Sequence, residues 1–441
     1  MFNVLNMLGR DAHFIELVKK AGLAFFLRIV GAALGFFLNI YIAKQLGASA
    51  YGLFVLAFTL VTVLCVLSRF GLDSVIVRNI AASKEKNEFS LIKGTISAAL
   101  QIVTLSGLVI LGIDFLFGPA IIGGIFGKPD LTIVMNVMIF LLLPLTFLYI
   151  YSEALKGLKD ILGAVVSQNI IAQGTALFLL MALGVYTSVT LFHVVWVFVL
   201  SHIFALLYAW QRWGKKCPSG QVQVVSRRQL IVSGWPLLLA SAGGLVLAWS
   251  DTIVLGLFEE NEAIGVYSAA LKLAMLTSFF LTAVNTIAAP KFSALYAKND
   301  LIGLAKLARQ SVALMSLLIF PVCLLLIIFP TELLGLFGVE FVAGENVLII
   351  LVVGQFVNVS SGSVMILLIT CGHEYVVRNI MLSAAIINIV LNVVLVQFMG
   401  IEGVAVATAF TTILWNVIGL MSVRKHIGFW TIPFIKHVES I

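Results

Sequence analysis

Two ionisable residues stand inside otherwise apolar sequence in the stretch from Trp249 to Lys272, on either side of a short acidic break at Glu259, Glu260 and Glu262. If the stretch folds as two antiparallel helices turning at position 261, Asp251 and Lys272 lie ten and eleven residues from the turn and arrive at the same depth, where they can meet. An ionised group at the centre of a membrane helix costs roughly 2.5 to 3.5 kcal/mol on insertion scales, so such groups face a partner or a watery cavity. Lys272 is suited to attract an anionic substrate and Asp251 to balance or release it. The competing reading is an ion pair that only fastens two helices, and buried pairs are weak sources of stability.

Other charges are fewer and nearer the helix ends. Arg28 lies about two turns into the first apolar span, where its planar fork suits a phosphate or snorkels to the interface. Arg69 and Arg78 flank the end of the second span, with Asp73 placed to pair with either; they serve as topogenic charges or as substrate contacts. Glu153 closes the fourth span beside Lys156 and Lys159, a solvated helix-end cluster. Asp251, Asp73 and Glu153 are thus the carboxylates for ion coupling or ion pairing. Asn388 and Asn392, four apart, and Gln168 and Gln173 are amides of the kind that bond neighbouring helices or touch sugar hydroxyls. His193 and His202 read as packing residues.

The elements that position these groups follow from composition. With 61% hydrophobic residues, 11% charged residues and a mean hydropathy of +1.13 over 441 positions, the chain is far too apolar for a soluble globule. Repeated apolar runs of about 20 residues fit helices crossing a hydrocarbon core of roughly 30 Å and do not fit barrel strands. Twelve spans emerge, at 21–43, 51–68, 95–118, 131–155, 161–185, 189–210, 230–258, 264–290, 310–329, 345–370, 376–399 and 401–423. Pro144, Pro236 and Pro321 fall within spans and are expected to kink or break them.

Of the 27 Lys and Arg residues, 23 fall in the termini, in the even-to-odd loops or, for Arg378, within three residues of one, against only Lys44 and Lys128 in the opposite loops. The positive-inside rule therefore places both termini in the cytoplasm. The net charge of +7 is a topology signal scattered over short loops and not a nucleic-acid patch. The first 20 residues carry too many charges for a cleaved signal peptide and read as an amphipathic segment. Cys65, Cys217, Cys323 and Cys371 are too widely spaced for a disulfide framework or a CxxC metal site.

An internal repeat divides the chain. Pro119, Gly124, Phe126 and Gly127 recur as Pro330, Gly335, Phe337 and Gly338 at an offset of 211, while Gly52 and Phe54 recur as Gly265 and Tyr267 at an offset of 213. The expected fold is an all-α polytopic membrane protein. Its twelve transmembrane helices form two parallel six-helix repeats, an N-lobe (21–213) and a C-lobe (230–423) around a central cleft. A cytoplasmic linker (214–229) joins them, the amphipathic segment (1–20) precedes them, and a cytoplasmic tail (424–441) follows. Parallel repeats of this kind serve alternating access in transporters. Gly31 and Gly35, four apart, permit close helix approach. In the first copy, Asn39 takes about the place of Asp251 and residues 57–59 that of Lys272, so the charges belong to the second lobe alone. No nucleophile elbow, Walker lysine or metal-spaced His/Cys cluster occurs, and the reading is of a non-enzyme without a cofactor, driven by an ion, potential or substrate gradient.

The segments LGASAYGLF (46–54), GLDSVIVRNIA (71–81), WSDTIVLG (249–256), AIGVYSAALKLA (263–274) and IAAP (287–290) resemble the polysaccharide flippases of the MOP superfamily, in particular the O-antigen flippases. The resemblance covers both lobes. It implies movement of an undecaprenyl-diphosphate-linked oligosaccharide from the inner to the outer leaflet of a bacterial inner membrane. It also implies cationic cleft residues on the diphosphate, matched here by Arg28 and Lys272, with membrane lipids, a polysaccharide polymerase and a chain-length regulator as companions. The peptidoglycan-precursor flippases carry two additional helices, so the twelve spans expected here argue against that branch. Two alternatives stay open: a cation-coupled multidrug exporter of the same superfamily, with Asp251 as the ion site, and a non-transporting subunit of a polysaccharide assembly complex.

Overall fold

The computed structural model describes residues 12–217 and 221–432, so positions 1–11 of the expected amphipathic segment and 433–441 of the expected tail lie outside the described residues. Helices α1 (Ala12–Arg69), α2 (Leu72–Glu85), α3 (Phe89–Phe126), α4 (Pro129–Met138), α5 (Leu142–Gly157), α6 (Ile161–Val165), α7 (Ala172–Tyr186) and α8 (Leu191–Lys216) lead to the linker. Beyond it come α9 (Arg227–Phe258), α10 (Asn261–Met275), α11 (Ser278–Ala297), α12 (Leu301–Ile328), α13 (Pro330–Gly335), α14 (Glu345–Ser360), α15 (Val364–Thr370) and α16 (Glu374–Ile427). Among the described residues nine helices are long and apolar enough to cross a membrane, or ten if α10 and α11, bent by 43° at their junction, count as one. The chain is a multi-span membrane protein.

Two helices are much too long for one crossing. A 30 Å core takes about 20 residues, whereas the apolar part of α1 runs 45 residues and α16 runs 54. Each is interrupted at one glycine: Gly47 (φ 73°, ψ 173°) and Gly400 (φ 56°, ψ −135°), conformations that side-chain-bearing residues seldom adopt. These positions fall in the gaps between the spans read at 21–43 and 51–68 and at 376–399 and 401–423. At Gly400 the chain reverses, because Asn392 and Thr408, sixteen residues apart, bond the same carboxylate. In a straight helix they would be about 24 Å apart.

The prolines behave unequally. Before Pro144 the helix gives way to a 3-10 turn at Ile139–Leu141, as expected where the ring removes a backbone donor. Helices α9 and α12, by contrast, continue through Pro236 and Pro321.

The chain forms two compact units. The first comprises Met1–Gln45, Leu60–Gly124 and Lys128–Leu238; the second comprises Leu46–Thr59, Ile125–Gly127 and Leu239–Ile441. In the first, amphipathic α2 turns Leu72, Val75, Ile76 and Ile80, spaced by three and four, into a core with Ile92 and Ile96 of α3 and Ile150 and Leu155 of α5. In the second, Phe292, Leu304, Leu367, Leu368 and Val423 make the corresponding core of α11, α12, α15 and α16. The second unit also takes in 46–59, which the sequence division assigns to the first lobe.

Within that second unit Gly52 and Gly265 meet reciprocally. A Cβ on Gly52 would fall 1.9 Å from the Asn261 carbonyl oxygen, and one on Gly265 would fall 2.1 Å from that of Ala48. Residues 48 and 261 are themselves 213 apart, so the contact repeats the sequence offset. The α1 segment after Gly47 starts with the Ala48 N–H donating to Glu340 Oε2 at 2.6 Å, a carboxylate at the positive end of a helix.

One loop-side ion pair has a pH signature. Asp160 caps α6 by accepting from the Gly163 amide and takes two hydrogen bonds from Arg212, at 2.7 and 3.2 Å. Partial burial alone would raise its pKa, but the Arg212 and Gly163 bonds outweigh it and hold the carboxyl below its ordinary value. A depressed folded value contributes stability above the unfolded value, near 4, that is lost as pH falls through the folded one. Asp160→Asn keeps the cap and removes the charge. It is expected to cost about 1 kcal/mol at pH 7, with the deficit against the native protein shrinking below about pH 4. Thermal unfolding in detergent at both pH values checks this, and an equal deficit at both would reject it.

Candidate functional site

Asp251 on α9 is 5% exposed and is the centre of a polar cluster in the second unit. Tyr267 Oη on α10 donates to its Oδ2 at 2.6 Å, Thr408 Oγ1 on α16 donates to the same oxygen at 2.8 Å, and Asn392 Nδ2 on α16 donates to Oδ1 at 2.8 Å. Around these, Ser250 donates to Asn388 Oδ1 at 2.6 Å, which also accepts from Asn392 at 3.1 Å. Two hairpins set the geometry. Asp251 and Tyr267 each lie eight residues from Glu259, and Asn392 and Thr408 each lie eight from Gly400. All four are therefore about 12 Å along their helices from a turn.

Three neutral donors bond the carboxylate, and no cationic side chain pairs with it among the described residues. The side-chain amide oxygen of Asn392, Oδ1, is buried without a hydrogen-bond partner among the described residues. One carboxylate with amide and hydroxyl oxygens around it suits a proton or a hard monovalent cation, since oxygen donors select hard ions and discriminate against soft ones. No group of three His, Cys, Asp or Glu residues able to hold a metal occurs among the described residues.

Lys272 does not join this cluster, which corrects the expectation that it meets Asp251. The turn is centred on Glu259 and not on position 261, so Asp251 is level with Tyr267. Lys272 lies five residues, about 7.5 Å, further along α10. It is half-buried and makes no hydrogen bond or ion pair among the described residues.

In the first unit Arg28 is exposed on α1 and likewise has no ion-pair partner among the described residues. Arg69 is committed inward: it donates to the Cys65 carbonyl at 3.2 Å, pairs with Asp73 at 3.0 Å and lies 4.2 Å over the Tyr149 ring. Asp73 is thereby brought to Arg69, while Arg78 is exposed on α2. Glu153 pairs with Lys156 at 2.5 Å. His202 bonds the Phe198 carbonyl at 2.7 Å, and His193 forms a capping box with Thr190 at the start of α8.

Tyr267, Thr408 and Ser250 escaped the sequence reading. Hydroxyls are unremarkable in membrane helices, where they bond their own backbone. The signal that finds them is mirror symmetry about the turn residues Glu259 and Gly400, combined with the Asn388/Asn392 pair.

Long apolar helices with ionisable side chains held inside them define a polytopic membrane protein of the transporter class. A family model described as polysaccharide biosynthesis protein matches residues 17–296, and one described as MatE matches 236–394. The chain belongs to the polysaccharide biosynthesis protein family, the polysaccharide flippases of the MOP superfamily. It is 26% identical over 411 residues to the probable low-salt glycan biosynthesis flippase Agl15 of Haloferax volcanii, covering 90% of this chain and 81% of that protein. A second Haloferax volcanii protein, the probable flippase AglR, is 23% identical over 464 residues, covering 96% and 87%. The fold is similar to that of the lipid II flippase MurJ in an inward closed conformation, with a TM-score of 0.76 at 15% identity over 91% of this chain and 87% of that one.

Proposed function

We propose that the protein is a flippase that carries an undecaprenyl-diphosphate-linked oligosaccharide repeat unit, of O-antigen or a similar surface polysaccharide, from the cytoplasmic to the periplasmic leaflet by alternating access. Twelve crossings in two lobes belong to this reading; what supports them is that ten apolar helices among the described residues, with the bent pair counted as one, include two interrupted at Gly47 and Gly400. The charge asymmetry of the loops supports cytoplasmic termini, and the resemblance to O-antigen flippases supports a bacterial inner membrane. The name of the Haloferax volcanii relative Agl15 supports a glycan cargo, and that of AglR supports flipping.

The observation that carries the reading is Lys272, a cation without an ion partner in a membrane helix. An ammonium there is costly unless an anion meets it, and a diphosphate supplies one. In the first unit Arg28 and Arg78 are the further cationic contacts of this reading, with Arg69 held by Asp73. Lys272→Ala is expected to slow flipping of a polyprenyl-diphosphate-linked disaccharide in proteoliposomes by about tenfold or more, the loss of one charge-assisted hydrogen bond, with Lys272→Arg retaining most of the rate. An unchanged rate in Lys272→Ala at equal reconstitution would reject this role.

Asp251 is the coupling site in this scheme, taking up a proton or monovalent cation. The same site favours a second reading, a cation-coupled drug exporter. Gradient-driven efflux of cationic dyes without movement of the lipid-linked probe would select it. Activity of the purified chain alone would dispose of the assembly-subunit reading and leave polymerase and chain-length regulator as downstream partners.

A further inference from the structure

The first unit holds a second polar cluster within its membrane-spanning helices. Between α6 and α7 the regular helix gives way to a π turn over Val166–Ile171. Gln168 and Asn169 lie in this turn and Gln173 in the first turn of α7 just beyond it; such turns recur at functional sites. Asn169 and Gln173, four apart, face α1 at two glycines. A Cβ on Gly31 would lie 2.6 Å from Asn169 Cβ, and one on Gly35 would lie 2.8 Å from Gln173 Oε1. The same α1 face carries Arg28 three residues before Gly31, and Asn39, which donates to the Gly35 carbonyl at 2.6 Å.

Amides that merely fasten helices find side-chain partners on the facing helix. Here the facing residues are glycines, which have none to offer. Asn169 turns back to its own helix, donating to the Val165 carbonyl at 3.3 Å. Gln168 Nε2 and Gln173 Oε1 are buried with no hydrogen-bond partner among the described residues. No Asp, Glu, Lys or Arg occurs between Ile161 and Tyr186, so the cluster lacks the charge to hold an ion.

We infer that Gln168, Asn169 and Gln173 form a recognition site for an uncharged polyhydroxylated group, the saccharide of the cargo; this rests on the flippase reading above. Each amide offers a donor and an acceptor side by side, which is what a pair of neighbouring sugar hydroxyls requires. Neutral amides accomplish this without competing for the diphosphate, which Arg28 on the same face of α1 is placed to meet. A site built to hydrogen-bond hydroxyls discriminates strongly against a ligand that lacks them.

The test reconstitutes the full chain and compares two probes, a polyprenyl-diphosphate-linked disaccharide and the same polyprenyl diphosphate without sugar. Gln173→Met keeps the side-chain length and removes the amide. The disaccharide rate relative to the bare-lipid rate is expected to fall about tenfold, with the bare-lipid rate unchanged. Gln168→Met provides the same readout if Gln173→Met does not fold. An unchanged ratio in the variants, or equal native rates for the two probes, overturns the inference and leaves the flippase reading standing. A native protein that moves neither probe overturns both.

Discussion

An Asp251→Asn protein is expected to fold and reach the membrane normally, yet to lose gradient-driven transport by about 100-fold, equivalent to roughly 2.7 kcal/mol. The substitution is nearly isosteric, and Tyr267 and Thr408 keep an acceptor in the place of Oδ2. What disappears is the negative charge that three donors hold in place. A cation attracted to that charge, with the unpartnered Asn392 oxygen beside it, loses its main source of affinity. A purely structural cluster behaves differently, because removing a buried charge without a cationic partner relieves a desolvation cost and leaves stability unchanged or improved. Proteoliposomes with an imposed sodium or proton gradient separate the two. Driven flipping that persists undiminished in Asp251→Asn at equal protein content would sink the coupling role, and the gradient to which the native protein responds identifies the ion.

The second large effect concerns packing. Gly52→Val is expected to destabilise the protein by about 3 kcal/mol, because its Cβ would fall 1.9 Å from the Asn261 oxygen and 2.8 Å from the Gly265 nitrogen. Both obstacles are backbone atoms, which cannot swing aside as side chains do, so the two helices must separate by more than an ångström. The reciprocal contact at Gly265 is lost in the same movement. Gly244→Ala is the matched control: a Cβ there meets nothing within 4 Å, and replacing a mid-helix glycine by alanine is neutral or stabilising by up to about 1 kcal/mol. Thermal unfolding of both variants in detergent decides the matter, and equal midpoints would show that the crossing tolerates a side chain.

What was legible in the sequence was whatever physical chemistry makes conspicuous. Helices long enough to cross a membrane appear as apolar runs. Gly400 sits between two of them because only glycine readily takes its backbone angles. The repeat offset of 213 reappears as the Gly52–Gly265 crossing. Asp251 stood out because a carboxylate in apolar sequence is costly, whereas the hydroxyls of Tyr267 and Thr408 carry no such cost and gave no signal. A turn at position 261 puts Lys272 level with Asp251, but the turn lies at Glu259, and along a helix a shift of two residues brings a different neighbour. The bend between Met275 and Ser278 has neither proline nor glycine, and nothing local announces it. The four-residue spacing of Arg69 and Asp73 offers their pairing, but the place of Arg69 over Tyr149 depends on how α5 packs, which spacing alone does not reveal.

The start of the α1 segment after Gly47 depends on residues far along the chain. Ala48 is held by Glu340, 292 residues later, and Gly52 by Asn261 and Gly265. Synthesis at about 5 to 20 residues per second puts roughly 10 to 40 seconds between the emergence of Gly52 and that of Gly265. For that interval the nascent chain contains 46–59 without the neighbours it will pack against, and its bare glycine face must be sheltered by lipid or by the insertion machinery. Biogenesis therefore ends with an early segment being claimed by late ones: 46–59 belong to the second unit, which stays incomplete until Gly265 and Glu340 have followed.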